Sequence, residues 1–298
     1  MVTAQFSKLP SQKLQKRTLS LAIHIIMVLV AIVMVLPFWL VIASSLTDNS
    51  SLVLEGYRLW PAKFSLAAYS YLFLSPKSLL QAYGVTMFVS IFGTFFGLLI
   101  MAMIGYGLAR VQGTTRKMLS ILVLFPILFS GGLIPFYLVM TQMYEIKNSL
   151  FSLIFPYLVS PFWVLLLRSY FNQLPGEILE SAKIDGANEL RLFFQIAIPL
   201  SLPALATIGL FTLLAYWNDY WLAMLFIRDN ILFPLQYLLF QLLNNAEAMN
   251  KSPQVAAIAV PGQSLRMAMA VLAAGPAIFV SLGLGKYFIR GITLGALK

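Results

Sequence analysis

Five neighbouring residues combine polar and aromatic side chains inside a long apolar stretch: Tyr216, Trp217, Asn218, Asp219 and Tyr220. An acid in a lipid-spanning segment is costly and usually faces a bundle interior or water. Asn218 and Asp219 can hydrogen-bond the hydroxyls of a sugar, while aromatic rings cover its apolar C–H faces. These residues are therefore candidates for a substrate path. The alternative is structural: Asn218 and Asp219 break the helix or bond to a neighbouring span.

A second group of candidate residues lies between residues 173 and 203, where the spacing predicts two short helices joined by a bend. Pro175 suits a first helical turn, in which Glu177 is favoured by the helix dipole. Asp185-Gly186 is a stop signal, and Asn188 can cap the second helix. We expect one apolar face on each helix, made of Leu174, Ile178 and Ala182 in the first and of Leu190, Phe193 and Phe194 in the second.

Such a hairpin can lie on lipid headgroups or dock into a protein. Four acids here outnumber three bases, and acid is unfavourable beside an anionic leaflet. A protein that receives a helix in a groove is the better fit. The ionisable residues are Glu177, Glu180, Asp185 and Glu189 against Arg168, Lys183 and Arg191.

Catalysis by this chain is not expected. The sequence has no cysteine and a single histidine, His24, which excludes a disulfide framework, a zinc finger and a histidine-based metal cluster. It has no glycine-rich phosphate loop, because the nearest cluster, residues 283–286, lacks the required spacing. We therefore expect no catalytic residue, no metal and no cofactor in this chain.

The composition excludes a soluble protein. Of 298 residues, 60% are hydrophobic and 10% are charged, whereas soluble domains have ~45–50% apolar and ~25% charged residues. Too few charged side chains remain to cover a surface in water. The net charge of +10 is typical of Lys and Arg in cytoplasmic loops, and we expect no binding of nucleic acid.

Long apolar blocks predict an all-α integral membrane bundle of six helices. Each block is continuous, whereas a β-barrel needs alternation. The first block is longer than the ~7–15-residue apolar core of a signal peptide, so we expect a spanning helix that is kept. Residues 19–298 are then the transmembrane domain, and residues 1–18 are a cytoplasmic segment before it. Gly93 and Gly97 are candidates for close packing. The spans are Leu19–Ala43, Tyr83–Leu108, Met118–Met143, Phe151–Tyr170, Ile198–Ile227 and Met267–Ile289.

The distribution of basic residues orients this bundle. With both termini in the cytoplasm, the inside segments hold 13 of the 20 Lys and Arg residues and the outside segments hold 7. This excess predicts cytoplasmic termini. The linker at residues 171–197 is then cytoplasmic, and the long loops at residues 44–82 and 228–266 lie outside.

The sequence around this linker resembles the EAA loop of permease subunits in type I ABC importers. The family pattern is Glu-Ala-Ala, three residues, Gly, nine residues, then Ile-x-Leu-Pro. Both spacings are present in this chain, with Ser in place of the second motif residue and Ile in place of Leu. The corresponding residues are Glu180, Ser181, Ala182, Gly186, Ile196, Ile198 and Pro199.

Two further segments resemble carbohydrate-importer permeases of the maltose-permease type. Residues 216–220 resemble their Trp-Asn-Asp/Asn-aromatic element, and residues 286–298 resemble their Lys-x-Phe/Tyr-x-x-Gly-hydrophobic-Thr-x-Gly-Ala-x-Lys ending. The resemblance covers about residues 15–298. It is closest to permeases that import oligosaccharides in Gram-positive bacteria.

The resemblance implies a transport subunit in the cytoplasmic membrane of a bacterium. Its coupling helix would dock on a separate ATPase, which binds ATP and Mg. The complete importer would contain a second, homologous permease in a heterodimer, two ATPase subunits and an extracellular solute-binding protein, and it would move a sugar by alternating access. The residues implied in ATPase coupling are Glu180, Ser181, Ala182, Asp185, Gly186, Ile196 and Pro199.

Two alternatives stay open. The same importer class can carry another cargo, such as a polyamine or phosphate, although a polycation would call for more acids in the spans than Asp219. An ion-coupled secondary transporter would need paired intramembrane ionisable groups or inverted repeats, and the sequence shows neither.

Overall fold

The computed structural model describes the backbone of residues 10–251 and 261–296, and the side chains of residues 19–249 and 261–283. Regular structure in these ranges is helical, and the one strand-like feature there is an isolated antiparallel bridge between Thr47 and Phe64. This confirms the predicted all-α class.

Two long helices with two short ones between them form the first part of the chain. They are α1 (Pro10–Ser45), α2 (Asn49–Glu55), α3 (Ala67–Leu72) and α4 (Pro76–Arg110). Both α1 and α4 are long and apolar enough to cross a membrane, since ~20 apolar residues suffice. They contain the first and second predicted spans.

The third predicted span is two helices joined at a sharp bend. α5 (Gly113–Leu128) is followed by α6 (Leu133–Leu138), which continues as a π-helical turn to Met143. The two parts are bent by 112°. Gly132 at the break has a φ of +84°, a conformation that glycine adopts without steric cost.

The fourth predicted span is bent less. α7 (Leu150–Ile154) continues as a 3-10 turn to Tyr157, and α8 (Pro161–Phe171) leaves it at 48°. Pro161 starts α8 because a proline is tolerated in the first helical turn.

The structure corrects the fifth predicted span, Ile198–Ile227, which is not one helix. After α9 (Gly176–Ile184), α10 (Glu189–Leu192) runs through a π-helical turn into α11 (Ile198–Leu200). α12 (Leu202–Trp217) leaves this segment at 81°. Prolines 199 and 203 flank that bend, and each lacks the N–H that a continuous helix needs.

The last part of the chain contains one short and two longer helices. α13 (Trp221–Phe226) follows α12, and α14 (Leu235–Lys251) occupies much of the predicted outer loop 228–266. α15 (Gly262–Ala296) contains the sixth predicted span. The side chains of the family-like ending, residues 286–298, lie outside the described part of the structure.

By length and composition, three helices in the described ranges are long and apolar enough to cross a membrane, or up to six segments if each bent pair crosses as one unit. The number of six spans therefore stays a prediction.

Helix α4 lies at the centre of the packing. It contacts α8 and α12, and α15 packs against α1 and α12. Two glycines permit these approaches: a Cβ on Gly97 would lie 2.7 Å from the Leu158 carbonyl oxygen, and a Cβ on Gly93 would lie no more than 2.9 Å from three atoms of the Tyr216 ring. Close packing at Gly93 and Gly97 is thus confirmed.

Candidate functional site

Residues 176–192 form an elbow of two short helices, α9 and α10, as predicted. α9 starts directly after Pro175 and carries Glu177 in its first turn. Asn188 caps α10, because its Oδ1 accepts a hydrogen bond of 2.8 Å from the backbone N–H of Arg191.

The bend of the elbow depends on Gly186, which has a φ of +82°. The N–H of Gly186 donates to the Lys183 carbonyl and the N–H of Ala187 donates to the Ala182 carbonyl, both at 3.0 Å. This pair of bonds is a Schellman cap, whose central residue needs the left-handed conformation that favours glycine. The glycine of the motif therefore has a local backbone explanation.

The predicted apolar face of the first helix is wrong at its middle position. Leu174 precedes α9, and the residue that α9 buries is Leu179 rather than Ile178. Ile178 is exposed and Ala182 is half-buried. Leu174 is also half-buried and packs against the core, so the four-residue spacing fails at Ile178.

The predicted stripe of the second helix is also divided. Phe193 is buried, whereas Leu190 and Phe194 are exposed. A π-helical turn over residues 193–197 follows Leu190 and interrupts the regular helical spacing there. Of the three predicted residues, Phe193 packs inward, against the rings of Tyr106 and Phe171.

The structure brings most of the implied coupling residues together on the elbow. Exposed positions are Glu180, Ser181, Asp185 and Gly186, whereas Ala182 is half-buried between them. Ile196 is half-buried in the π-helical turn, and Pro199 is exposed in α11. Contact of these residues with an ATPase stays a prediction.

The elbow also presents apolar side chains to its surroundings. Ile184 is 87% exposed at the tip of α9. Three further exposed apolar residues lie on the same segment: Ile178, Leu190 and Phe194. Apolar side chains beside exposed acids are typical of a surface that another protein covers.

Glu189 joins the elbow to the end of α4, a contact that the sequence did not predict. Its Oε2 accepts a hydrogen bond of 3.1 Å from the Tyr106 hydroxyl, and its Oε1 lies 2.6 Å from Lys183 Nζ. Arg110 Nε lies 4.0 Å from Oε2. Tyr106 and Arg110 are four apart in α4 and share a helix face, which is the one signal in the sequence that pairs them.

The charge of Glu189 is favoured by these partners. The hydrogen bond from Lys183, assisted by the Tyr106 hydroxyl and the charges of Lys183 and Arg110, holds the pKa of the Glu189 carboxyl below its ordinary value, against a smaller opposing effect of burial. The carboxylate is therefore ionised at neutral pH and keeps both oxygens as acceptors.

Two of the predicted substrate-path residues are buried and hydrogen-bonded to the backbone. The Tyr216 hydroxyl donates to the Ile154 carbonyl at 2.8 Å, and Trp217 Nε1 donates to the Ala273 carbonyl at 3.0 Å. Both side chains lie in the apolar core. These contacts are those of packing residues that fasten α12 to its neighbours.

Asp219 occupies the break between α12 and α13. Its Oδ1 accepts from the Tyr157 hydroxyl at 3.0 Å, and its Oδ2 accepts from the Leu222 N–H at 3.1 Å. It thus breaks the helix and bonds to another segment, as the structural alternative expects. A role on a substrate path stays a prediction.

Asn218 and Tyr220 are the two exposed members of the group. Asn218 Oδ1 accepts a hydrogen bond of 3.3 Å from Gln236 Nε2, and the Tyr220 ring stacks on Phe240 with centroids 5.2 Å apart. The elements α12, α13 and α14 therefore present amides and aromatic rings side by side, which is the side-chain mixture that a sugar needs.

The sequence matches a family over residues 118–294: the binding-protein-dependent transport system inner membrane component. This match covers more than half of the chain. The chain belongs to this family. The match includes the elbow and the 216–220 group, and it confirms the resemblance on which the importer interpretation depends.

Relatives within the family cover nearly the whole chain. It is 37% identical to the polygalacturonan/rhamnogalacturonan transport system permease protein YtcP of Bacillus subtilis, over 96% of this chain and 100% of that protein. It is 36% identical to protein LplC of the same organism, over 90% and 91%. It is 29% identical to the trehalose/maltose transport system permease protein MalG of Thermococcus litoralis, over 91% and 94%.

A solved structure shares the fold of this family member. It is described as a bacterial ABC transporter involved in the import of the acidic polysaccharide alginate, and it aligns with a TM-score of 0.77 over 96% of this chain and 100% of that chain. The sequence identity of 24% makes this a likeness of fold.

Proposed function

We propose that this protein is one permease subunit of an ATP-driven importer that moves an oligosaccharide across the cytoplasmic membrane of a bacterium by alternating access. The observation that carries the proposal is the family relationship: at 37% identity over 96% of the chain, the whole subunit is shared with a named polysaccharide permease. The sugar is not changed chemically, since ATP binding in the partner shifts the permease between two conformations.

The cargo class follows from the relatives. Their names include polygalacturonan and rhamnogalacturonan, arabinooligosaccharides, and trehalose with maltose. A cargo common to these is a chain of sugar units, and the more similar of these relatives is named for an acidic one. We therefore place oligosaccharides that contain uronic acid first among the substrates to test.

The elbow is proposed as the coupling element that an ATPase subunit receives in a groove. Its exposed apolar residue Ile184, next to the exposed acids Glu180 and Asp185, supports this role, because a groove that holds a short helix needs apolar anchors. The other coupling residues Ser181, Ala182, Gly186, Ile196 and Pro199 would shape or support this helix.

The proposed assembly contains this chain, a second homologous permease, two ATPase subunits that bind ATP and Mg, and an extracellular solute-binding protein. This chain would hold no cofactor. Both termini and the elbow would face the cytoplasm, and six spans would cross the membrane. The loops at residues 44–82 and 228–266 would face the binding protein.

The experiment is ligand-stimulated ATP hydrolysis by the complete complex in lipid nanodiscs with its binding protein. The sugar panel contains oligogalacturonides, arabinooligosaccharides and maltose-series oligosaccharides, with inorganic phosphate and a polyamine as other cargo classes. Stimulation by an oligosaccharide supports the proposal. Stimulation by phosphate or the polyamine alone, or hydrolysis that never responds to the panel, contradicts it.

The role of the elbow needs a separate variant. Ile184→Asp adds a charge to the exposed apolar tip and is expected to reduce co-purification of the ATPase. Leu54→Asp is the matched control, because Leu54 is 85% exposed at the end of α2, whereas Ile184 is 87% exposed. Equal ATPase retention by both variants would exclude the tip of the elbow from the contact.

A further inference from the structure

We propose that Glu189 is a positioning residue that fastens the elbow to α4, so that movement of the elbow is passed to the centre of the bundle. This inference rests on the proposed function, because it concerns how a coupling element acts. It adds a residue at one of the positions that the motif leaves unspecified, between Gly186 and Ile196.

Glu189 links three helices with its two carboxylate oxygens. One oxygen contacts Lys183 of α9 at 2.6 Å, and the other accepts from the Tyr106 hydroxyl of α4 at 3.1 Å. Arg110 adds a second, longer contact from α4 at 4.0 Å. Charge-assisted hydrogen bonds of this kind are stronger than neutral ones, and both oxygens are used.

The contact to α4 connects the elbow to the main packing partner in the bundle. α4 has 35 residues and is therefore about 52 Å long at 1.5 Å per residue. Its residues 101–108 pack on α8 and α12, and its earlier residues pack on α14 and α15. A displacement at Tyr106 is thus carried along one rigid element to both ends of the bundle.

The apolar contacts beneath the elbow hold its base rather than its tip. Leu192, Phe193 and Ala197 are buried, and the Tyr106 ring lies 5.3 Å from the Phe193 ring. These residues lie at or directly after the end of α10 and would stay packed without Glu189. α9, the other arm of the elbow, buries Leu179, and the ion pair with Lys183 adds a polar contact that links α9 to the same point on α4.

A structural role and a positioning role of Glu189 predict different experimental results. Glu189 and Lys183 are both partly exposed, and exposed ion pairs contribute little to stability. Removal of Glu189 should therefore leave thermal stability and assembly nearly unchanged. If the residue positions the elbow, the same change lowers the ratio of sugar-stimulated to basal ATP hydrolysis.

The test compares variants in the complete complex with its binding protein and a mixture of galacturonate, arabinose and maltose-series oligosaccharides. We expect Glu189→Ala to lower the stimulation ratio about fivefold, the lower end of typical coupling between sites, with the ATPase still bound and a melting temperature near that of the wild type. Glu189→Gln should give a stimulation ratio between those of Glu189→Ala and the wild type, because its amide oxygen still accepts from Tyr106 but lacks the charge that attracts Lys183. Glu145→Gln is the control, since it removes an exposed acid that lies outside the elbow and outside the two loops proposed to face the binding protein.

The Tyr106→Phe variant separates the hydroxyl from the ring. It should reproduce part of the loss while the ring packing on Phe193 stays, and adding it to Glu189→Ala should cause little further change, because residues that act through one contact are not additive.

The outcomes are distinct. Unchanged stimulation in Glu189→Ala and Glu189→Gln, with a responsive wild type, overturns this inference and leaves the proposed function standing. Release of the ATPase or a large fall in melting temperature in both variants also overturns it, in favour of a structural role. A wild-type complex that no sugar stimulates contradicts the proposed function, and this inference with it.

Discussion

Glu189 and Asp219 each connect three elements, but their partners differ in kind. Glu189 accepts from the Tyr106 hydroxyl and also contacts the charged residues Lys183 and Arg110, and it lies on a partly exposed elbow. Asp219 accepts from the Tyr157 hydroxyl and the Leu222 N–H, which are neutral, at a half-buried helix break. The contacts of Glu189 are therefore more readily exchanged for water than those of the half-buried Asp219. The comparison separates a junction that can shift during a cycle from one that holds the bundle together.

The largest effect is expected at the bend of the elbow. Gly186→Pro requires a φ near −65°, whereas Gly186 has +82°, and it removes the N–H that donates to Lys183. Because proline fixes φ and has no N–H, the bend should be lost and sugar-stimulated ATP hydrolysis abolished while the chain still inserts. Normal coupling in the assembled complex would remove the elbow from the mechanism.

Graded variants test whether backbone conformation is the cause. Gly186→Asn should retain more coupling than Gly186→Ala, because asparagine tolerates the left-handed region better than alanine. Equal loss in both would show that side-chain space at the elbow, rather than the Schellman cap, is the critical property. ATP hydrolysis with and without sugar is the measurement.

Variants of Asp219 test whether its contacts at the helix break stabilise the bundle. Asp219→Ala leaves the Tyr157 hydroxyl and the N–H of the buried Leu222 without their acceptor. An unsatisfied donor costs about 1–3 kcal/mol where water cannot replace the acceptor. We expect a lower melting temperature of the purified complex and reduced transport with the ATPase retained. Asp219→Asn, which keeps two acceptor lone pairs on one oxygen, should lose less.

The opposite pattern would change the interpretation of Asp219. An unaltered melting temperature together with a weaker response to sugar in both variants would place the residue on the substrate path.

Gly93 tests how tightly the segment before Asp219 is held. A methyl group at Gly93 would lie within 2.9 Å of three Tyr216 ring atoms, and overpacking of a core costs about 1–3 kcal/mol. Gly93→Ala should therefore lower the melting temperature. Gly84→Ala in the same helix is the control, since a methyl group there would meet nothing within 4 Å, and it should be neutral or stabilising. Equal behaviour of the two variants would contradict the packing of Tyr216 over Gly93.

The smallest effect is expected at the cap of α10. Asn188→Ala removes the acceptor for the Arg191 N–H and should cost about 1 kcal/mol. The stimulation ratio should fall slightly, and Asn188→Asp should restore it because aspartate caps equally well. A larger loss than that of Glu189→Ala would mean that the cap, and not the contact with α4, sets the position of the elbow.

Local signals in the sequence were reliable for the elbow and weaker for the spans. Pro175 acts through its fixed φ, and Gly186 and Asn188 act within segments whose bonds span at most five positions. Their types therefore predict the start, bend and cap directly. The apolar blocks predict helices that suit a membrane. Their bends at Gly132 and Ser201 are marked by glycine and proline, but the angles of 112° and 81° depend on what each half packs against.

The sequence by itself determined the helical class, the family and the two-helix elbow, because composition and short-range hydrogen bonds depend on residues close together in the chain. The tertiary structure alone decided which residues join the helices. Tyr106 and Glu189 are 83 positions apart, and Tyr157 and Asp219 are 62 apart. Such pairs form only after α4, α8 and α12 have packed, because the packing of helices brings distant side chains within bonding distance.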